Sequence, residues 1–354
     1  MKKKVFFVLS SLTAGGSERV FWLISQNIDK NRYEVFIVLL DSTRSFFSTD
    51  IEGVHFIDLK TIKASYSFFK FYSLCKKEKP YAVFATGGHI NTLVAVVSYF
   101  IKIPCLVARP TNVAEKVNYI SGKAKMWGKL GKRFFKRFDN IICQSEEILN
   151  STISTYHIDP TKIVVIPNPV VPGELVKLQG SAKKTKKIIT IARLTKQKGL
   201  KRLLDILSNL PKDYFLTIAG DGPLRGEIEE HIRLLGIEGR VSLLGLVKNI
   251  PQLIMEHDVL ALSSYIEGFP NVAIEALSVG VPVVSFKVGG ISEILINDFN
   301  GYIVEQGGIE NFKNKLIEVL EKSWDAIAIK QDITERFGMK KVVGLYEKLI
   351  EKAS

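Results

Sequence analysis

Two glutamates, Glu267 and Glu275, bracket the segment Gly268-Phe269-Pro270-Asn271-Val272-Ala273-Ile274. The apolar run Val259–Leu262 just before it reads as a strand, and a helix is expected to start near Asn271. Glycine at 268 lets the backbone come close to a ligand. A new helix offers unpaired N–H groups and the positive end of its dipole, a seat for phosphate. The carboxylates would flank that seat, Glu267 in the loop and Glu275 over a turn into the helix. A carboxylate accepting two hydroxyls reads a ribose or another sugar. Taken singly, either could also be an acid that merely complements the helix dipole.

A second group is Ile191-Ala192-Arg193-Leu194-Thr195-Lys196-Gln197-Lys198-Gly199. Arg193 directly follows a predicted strand and Lys198 stands at a helix start. Two cations at a strand's carboxyl end can neutralise a diphosphate, the guanidinium in bidentate fashion; two solvated surface bases are the plainer alternative. A third is Leu12-Thr13-Ala14-Gly15-Gly16-Ser17-Glu18-Arg19, where a strand opens into a helix as phosphate loops do. Its spacing is neither G-x-G-x-x-G nor Walker A, which excludes the standard dinucleotide and P-loop sites. Gly220-Asp221-Gly222-Pro223-Leu224 ends another strand in a tight turn that would let a flat base approach the backbone at Gly220. His89 follows Thr86-Gly87-Gly88 at a strand end. The other four histidines show no ligand spacing, and no D-x-D triplet offers carboxylates to a nucleotide-bound metal.

Between Lys116 and Arg137 there are eight bases and no acid. Trp127, Leu130, Phe134 and Phe138 recur at helical spacing, with Lys125, Lys129, Lys132 and Lys136 on another face and Arg133 beside them. This reads as a basic amphipathic helix suited to an anionic membrane, although Gly128 and Gly131 weaken it. A core helix with a solvated back fits the same pattern. No nucleic-acid motif accompanies the charge.

These groups need elements to hold them. Short β-branched runs alternate with amphipathic ones, which predicts parallel α/β architecture. Strands are expected at Val5–Ser10, Val35–Leu40, Ala82–Thr86, Cys105–Arg109, Asn140–Gln144 and Ile163–Ile166, with helices at Glu18–Ile28, Phe68–Lys79 and Asn91–Phe100. After a Pro- and Gly-containing linker over 171–187, strands recur at Ile188–Ala192, Phe215–Ala219, Val241–Leu243, Val259–Leu262 and Val283–Phe286. The chain of 354 residues thus divides into a domain over 1–170 and one over 188–334, followed by a helical end. Its net charge of +13 is uneven: residues 1–170 hold 24 bases against 13 acids, so an anionic partner should meet the first half. Cys75, Cys105 and Cys143 are far apart and fit neither a disulfide framework nor a zinc site, as in a reducing cytosol. The opening Met1-Lys2-Lys3-Lys4 and apolar run read as a first strand rather than a leader.

Glu267 to Glu275 resembles the E-x7-E signature of the retaining glycosyltransferases of family 4, and the loops at 15–19, 193–199, 220–224 and 280–284 match in order. The resemblance implies the GT-B fold, two Rossmann-like domains facing each other across a cleft, with the helix at about 335–354 packing back on the first. It implies transfer of a hexose or N-acetylhexosamine from a nucleotide-diphosphate sugar, UDP being the commoner base, with no metal or other cofactor. Arg193 and Lys198 would hold the diphosphate and Glu275 the ribose. Glu267 would meet the donor sugar, and the backbone of Phe269, Pro270, Asn271 and Val272 would meet sugar and phosphate. Gly15 and Gly16 would close on the donor, while His89 and Arg109 would approach the reacting sugar and acceptor. Acceptors in related enzymes include lipid-linked saccharides, which implies a cytoplasmic protein peripheral on the inner face of the plasma membrane, in surface polysaccharide synthesis. A GT-B-like sugar-nucleotide epimerase would need acid/base pairs that have no evident place here. A non-catalytic membrane- or nucleic-acid-binding module would have no use for Arg193, Lys198 and the paired glutamates.

Overall fold

The computed structural model describes residues 2–43, 45–111, 133–171, 176 and 185–353. The chain forms two compact units, one of residues 1–169 with 339–354 and one of residues 170–338.

The first unit is built on β1 (Lys3–Leu9), β2 (Tyr33–Leu39), β3 (Val54–Asp58), β4 (Ala82–Thr86), β5 (Cys105–Arg109), β6 (Asn140–Cys143) and β7 (Ile163–Val165). All pairings are parallel, in the order 3-2-1-4-5-6-7. Residues Val5–Leu9 are buried without alternation, so both faces of the sheet must be covered. Successive side chains serve opposite faces: Phe6 and Val8 join Phe36, Phe71 and Phe138, whereas Val5 and Phe7 join Phe21, Ile24, Val342 and Tyr346. The second face therefore includes the chain's last helix, Met339–Lys352. Its Tyr346 ring lies 5.4 Å from Phe84, and the Cys105 thiol donates to the Leu349 carbonyl at 3.6 Å.

The second unit carries β8 (Lys186–Ile191), β9 (Tyr214–Ala219), β10 (Val241–Gly245), β11 (Val259–Leu262), β12 (Val283–Phe286) and β13 (Gly301–Val304). These are again parallel, in the order 10-9-8-11-12-13. In each sheet the strand order reverses once beside its first strand, between β1 and β4 and between β8 and β11. Ligands of open α/β sheets bind at the carboxyl ends of the strands that flank such a reversal.

Two strands escape the sequence pattern. Short β3 carries His55 and Asp58 among its apolar residues. β13 opens on Gly301, where a Cβ would stand 2.0 Å from the Val283 carbonyl oxygen. The linker ends earlier than expected, because β8 begins at Lys186. The helical end is not continuous over 335–354: Ala326–Phe337 stops at Gly338, where a Cβ would meet the Thr334 carbonyl oxygen at 2.4 Å. Val170 pairs with Gly338, its N–H donating to the Phe337 carbonyl at 2.9 Å, so the chain leaves and rejoins the first unit at neighbouring points.

Of the expected basic helix, Lys125, Trp127, Lys129 and Lys132 lie outside the described residues. Arg133 and Lys136 are exposed, but helix ends at Phe135. Phe138 is therefore not on a continuing helical face. Phe135 is the buried anchor, its ring stacked 4.3 Å from Tyr156. Among the described residues no helix is long and apolar enough to cross a membrane.

Candidate active site

In the second unit, β8 delivers Arg193 and Lys198, and β11 delivers residues 263–270, to the two sides of the reversal. Lys198 Nζ and Glu267 Oε1 lie 2.6 Å apart, and the Ser264 hydroxyl donates to the same oxygen at 2.6 Å. Both bonds fall on Oε1, leaving Oε2 without a partner among the described residues. Lys198 is held in place through its backbone: its carbonyl accepts from Ser263 Oγ at 2.9 Å, and Gly199 turns the chain at φ +61°. A side chain at Gly199 would drive its Cβ to 2.2 Å from the Ser263 carbonyl oxygen, so only glycine lets the two loops meet. Arg193 is exposed, with no side-chain partner among the described residues.

The helix after the glutamate loop runs Asn271–Leu277 from an N-cap at Pro270, at the position its sequence predicts. Phe269 and Pro270 are buried and Asn271 and Val272 half-buried, with Gly268 tucked beneath. Glu275 is buried on the helix. At the Gly220 turn the chain's own packing calls for the glycines. A Cβ there would lie 2.1 Å from the Ala192 carbonyl oxygen, and one at Gly222 2.6 Å from that of Leu194. These glycines admit the chain's own 192–194 backbone: Leu194 N–H donates to the Asp221 carbonyl at 3.0 Å, fixing the loop that carries Arg193.

In the first unit, Ser10 after β1 and His89 after β4 span the reversal, Ser10 Oγ and His89 Nε2 being 3.1 Å apart. The helix starts at Gly88, earlier than its periodicity predicts, because Gly87 turns the chain at φ +90°. His89 therefore sits in the helix's first turn. Desolvation by its surroundings lowers its pKa, partly countered by the Glu18 carboxylate, so at neutral pH the imidazole is uncharged. Glu18 itself folds back over Gly15: a Cβ on that glycine would come within 2.2 Å of Glu18 Oε2. Gly16 begins the helix and is exposed.

Arg109 corrects the expectation of direct acceptor contact. Its side chain is buried, bonded to Asn168 Oδ1 and to Thr86 Oγ1 at 3.5 Å, and the same Thr86 hydroxyl donates to the Arg109 carbonyl at 3.2 Å. Burial lowers its pKa, and a hydrogen bond with Tyr346 works against that. A guanidinium enclosed this way fastens the last helix to the sheet.

The comparisons with known proteins decide the family. Residues 14–174 match the model of Glycosyltransferase Family 4, and residues 174–336 match that of Glycosyl transferases group 1. The chain belongs to the group 1 glycosyltransferases of family 4. As an enzyme of this family it is similar to a Campylobacter jejuni GalNAc-alpha-(1->4)-GalNAc-alpha-(1->3)-diNAcBac-PP-undecaprenol alpha-1,4-N-acetyl-D-galactosaminyltransferase, at 29% identity over 85% of this chain and 84% of the relative. It is also similar to an Escherichia coli UDP-Gal:alpha-D-GlcNAc-diphosphoundecaprenol alpha-1,3-galactosyltransferase, at 27% identity over 79% of this chain and 76% of the relative. Among solved structures, Anabaena Alr3699/HepE in complex with UDP-glucose matches with a TM-score of 0.82 at 20% identity, covering 99% of both chains. The lipopolysaccharide outer core galactosyltransferase WaaB matches with a TM-score of 0.77 at 20% identity, over 99% of this chain and 100% of that one. These likenesses establish the GT-B fold of the two parallel-sheet domains.

Two features of this glycosyltransferase escape sequence reasoning. Arg202, on helix Leu200–Ser208, is buried beneath the glutamate loop. Its Nε donates to the Ser263 carbonyl at 2.7 Å, Nη2 to that of Ser264 at 2.6 Å, and Nη1 to Gln306 Oε1 at 2.9 Å. The guanidinium lies between the rings of Tyr265 and Phe286, at 3.9 and 3.8 Å from their centroids, and burial lowers its pKa to about 10. Its only sequence signal is a charge on the apolar stripe Leu200-Leu203-Leu204-Leu207. Gly290, at φ +69°, lies against the loop as well: a Cβ there would meet Phe269 Cδ2 at 2.7 Å. The Gly-Gly pair after β12 was its signal.

Proposed function

We propose that this glycosyltransferase transfers a hexose or N-acetylhexosamine from a UDP-sugar, with retention of configuration, to a lipid-linked saccharide at the cytoplasmic membrane face during bacterial surface glycan synthesis. The observation that carries the donor half is the Lys198–Glu267 pair at the β8/β11 reversal, with Arg193 exposed at the end of β8 and without a side-chain partner among the described residues. Arg193 and Lys198 take the diphosphate, Glu275 the ribose hydroxyls, and Glu267 Oε2 a hydroxyl of the donor sugar. The acceptor half is supported by relatives whose names specify undecaprenyl-diphosphate-linked saccharides, one with UDP-Gal as donor.

In the reaction the bond between the anomeric carbon and the leaving phosphate oxygen breaks as the acceptor oxygen bonds to that carbon on the same face. The acceptor proton passes to the departing phosphate. Positive charge builds on the sugar and negative charge on the phosphate, where two fixed cations stabilise the transition state more than the ground state. Glu267 orients the sugar and does not attack it: with Oε1 held by Lys198 and Ser264, its Oε2 accepts a hydroxyl of the donor sugar. Transfer needs no metal, since the two cations supply the charge. Activity in excess EDTA is then unchanged.

Thermal stabilisation by UDP, GDP and ADP, on the wild type and on Glu275→Ala, tests the donor half. A ligand at 100 times its dissociation constant adds about 2.7 kcal/mol. A shift with UDP alone, lost in the variant, is the expected result. A shift with GDP alone would replace the donor, and no shift would remove the nucleotide site.

A further inference from the structure

In the first unit, one stretch of surface combines bare aromatics with bases. Phe69 is 80% exposed, Tyr66 69%, Phe100 65% and Tyr99 51%, beside Ile62 at 87%. They come from two neighbouring elements: the turn 64–67 leading into helix Phe68–Glu78, and the turn after helix Gly88–Val97. Phe68 joins them, its ring edge-on to Phe69 at 5.2 Å and to Phe100 at 5.7 Å, with Tyr72 also meeting Phe100 at 6.5 Å. Cations rim the aromatics. Lys63 lies 6.0 Å from the Tyr66 ring, and Arg137 lies 5.4 Å from that of Tyr99 while bonding Ser98. Lys70 follows Phe69 directly, with its Nζ donating to the Leu59 carbonyl at 2.7 Å, and Lys102 lies two residues after Phe100.

Residues 59–77 hold five lysines and no acid. The acids that border the patch are engaged elsewhere: Glu78 with Lys4 at 2.6 Å, and Asp139 with the Leu106 N–H at 2.8 Å. Among the described residues Lys63 and Lys102 have no acidic partner, while Lys60 stands near the Asp58 carboxylate and Lys70 bonds the Leu59 carbonyl. Singly exposed apolar side chains are ordinary on a surface, whereas contiguous exposed aromatics mark an interaction site. Aromatic rings flanked by long cationic side chains suit the boundary between lipid headgroups and acyl chains, where the rings insert and the ammonium groups snorkel to phosphates. The uniform positive charge selects an anionic leaflet.

We infer that this patch, built on Tyr66, Phe69, Tyr99 and Phe100 and rimmed by Lys63, Lys70, Lys102 and Arg137, is a docking surface for an anionic lipid bilayer. It is separate in sequence from the basic segment 116–137 apart from Arg137. It gives the proposed lipid-linked acceptor a physical setting and rests on that reading only for its biological purpose. Binding here uses two separable forces, aromatic insertion that salt does not screen and lysine attraction that it does.

Sedimentation with vesicles of phosphatidylcholine mixed with phosphatidylglycerol, and of phosphatidylcholine alone, tests it on the full chain. The wild type should partition to the mixed vesicles and far less to the neutral ones. The triple variant Y66S/F69S/F100S should bind at least about tenfold more weakly at low and at high salt. K63Q/K70Q/K102Q should bind more weakly at low salt and converge on the wild type at high salt. Unchanged melting and unchanged UDP-induced stabilisation show that both variants are folded. Wild-type binding by the aromatic variant, or no vesicle binding by the wild type, overturns the proposal. So does a dimer in solution that the aromatic variant splits while vesicle binding is absent, since a second copy then covers the patch. If vesicle binding follows the patch but no nucleotide binds, the docking surface stands and the donor reading fails.

Discussion

Across the β8/β11 reversal Lys198 and Glu267 meet as opposite charges, braced by Ser263 and Ser264 and underpinned by Arg202. Across the β1/β4 reversal Ser10 and His89 meet as a hydroxyl and an uncharged imidazole at an exposed edge, with no comparable scaffold among the described residues. The sheets share one strand order, and each places a side-chain pair at the same topological point. Fold fixes where a site can be, and the residues at the strand ends fix what it can hold. One pair is ionic and braced from several sides; the other is neutral and open.

The sharpest way to break this contrast is Glu267→Gln, which keeps the shape and removes the charge. Turnover with donor and acceptor should fall about a hundred- to a thousandfold, as when one preorganised polar group is lost from a transition-state site. Mass spectrometry of the variant incubated with donor should show no sugar adduct; an adduct would make this carboxylate's neighbourhood nucleophilic and undo the orienting role. Arg193→Met, at an exposed position that costs the fold little, should weaken UDP binding about ten- to a hundredfold by calorimetry, the loss of one charge-assisted contact. Unchanged affinity would make Arg193 a solvated base.

Arg202→Met asks whether the bracing matters. It leaves the buried Ser263 carbonyl without its side-chain donor and the Ser264 carbonyl with Gln306 Nε2 alone, at about 1–3 kcal/mol for the orphaned group, and should lower the melting temperature of the 170–338 unit. Its telling readout is kinetic: kcat should fall more than KM rises, with partial recovery in Arg202→Lys, since the loop it holds presents Glu267. A purely structural arginine would shift melting and leave the kcat-to-KM balance alone. The smallest effect is expected at the neutral pair. His89→Gln should cost about tenfold in kcat. Because desolvation by neighbouring groups lowers the His89 pKa, its proton is taken up only below the ordinary value near 6.5. Wild-type activity that depends on neutral imidazole should therefore persist through pH 6.5, fall below it, and lose that acidic limb in the variant. An acidic limb shared by both proteins would assign it to another group.

How much of this the sequence carries depends on how local the cause is. The strands Ala82–Thr86, Cys105–Arg109, Val259–Leu262 and Val283–Phe286 are legible because continuous β-branched and apolar runs have no better place than a doubly covered sheet. The glutamate loop, the Asn271 helix start and the strand-end cations are equally local. Partnership is not. Nothing near Lys198 in the chain indicates that it meets Glu267, or that Arg202 reaches under residues 263–264 some sixty positions later. Arg109 misled for the same reason: a strand-end arginine looks like a ligand contact until the last helix is seen to cover it. Edge strand β3 was hidden by polar residues, and the start at Gly88 by a turn that only glycine at 87 could make.

That last helix has a consequence for how the protein comes into being. A ribosome releases residues 1–169 long before residues 339–352 exist, and all of 170–338 is made in between. Until then Phe7, Phe21 and Phe84 lack the cover of Val342, Tyr346 and Ile350, and the Arg109 guanidinium lacks its lid. The second unit is contiguous and can close as it emerges, whereas the first must wait for residues 339–352. The unit that begins to be made earlier is completed later.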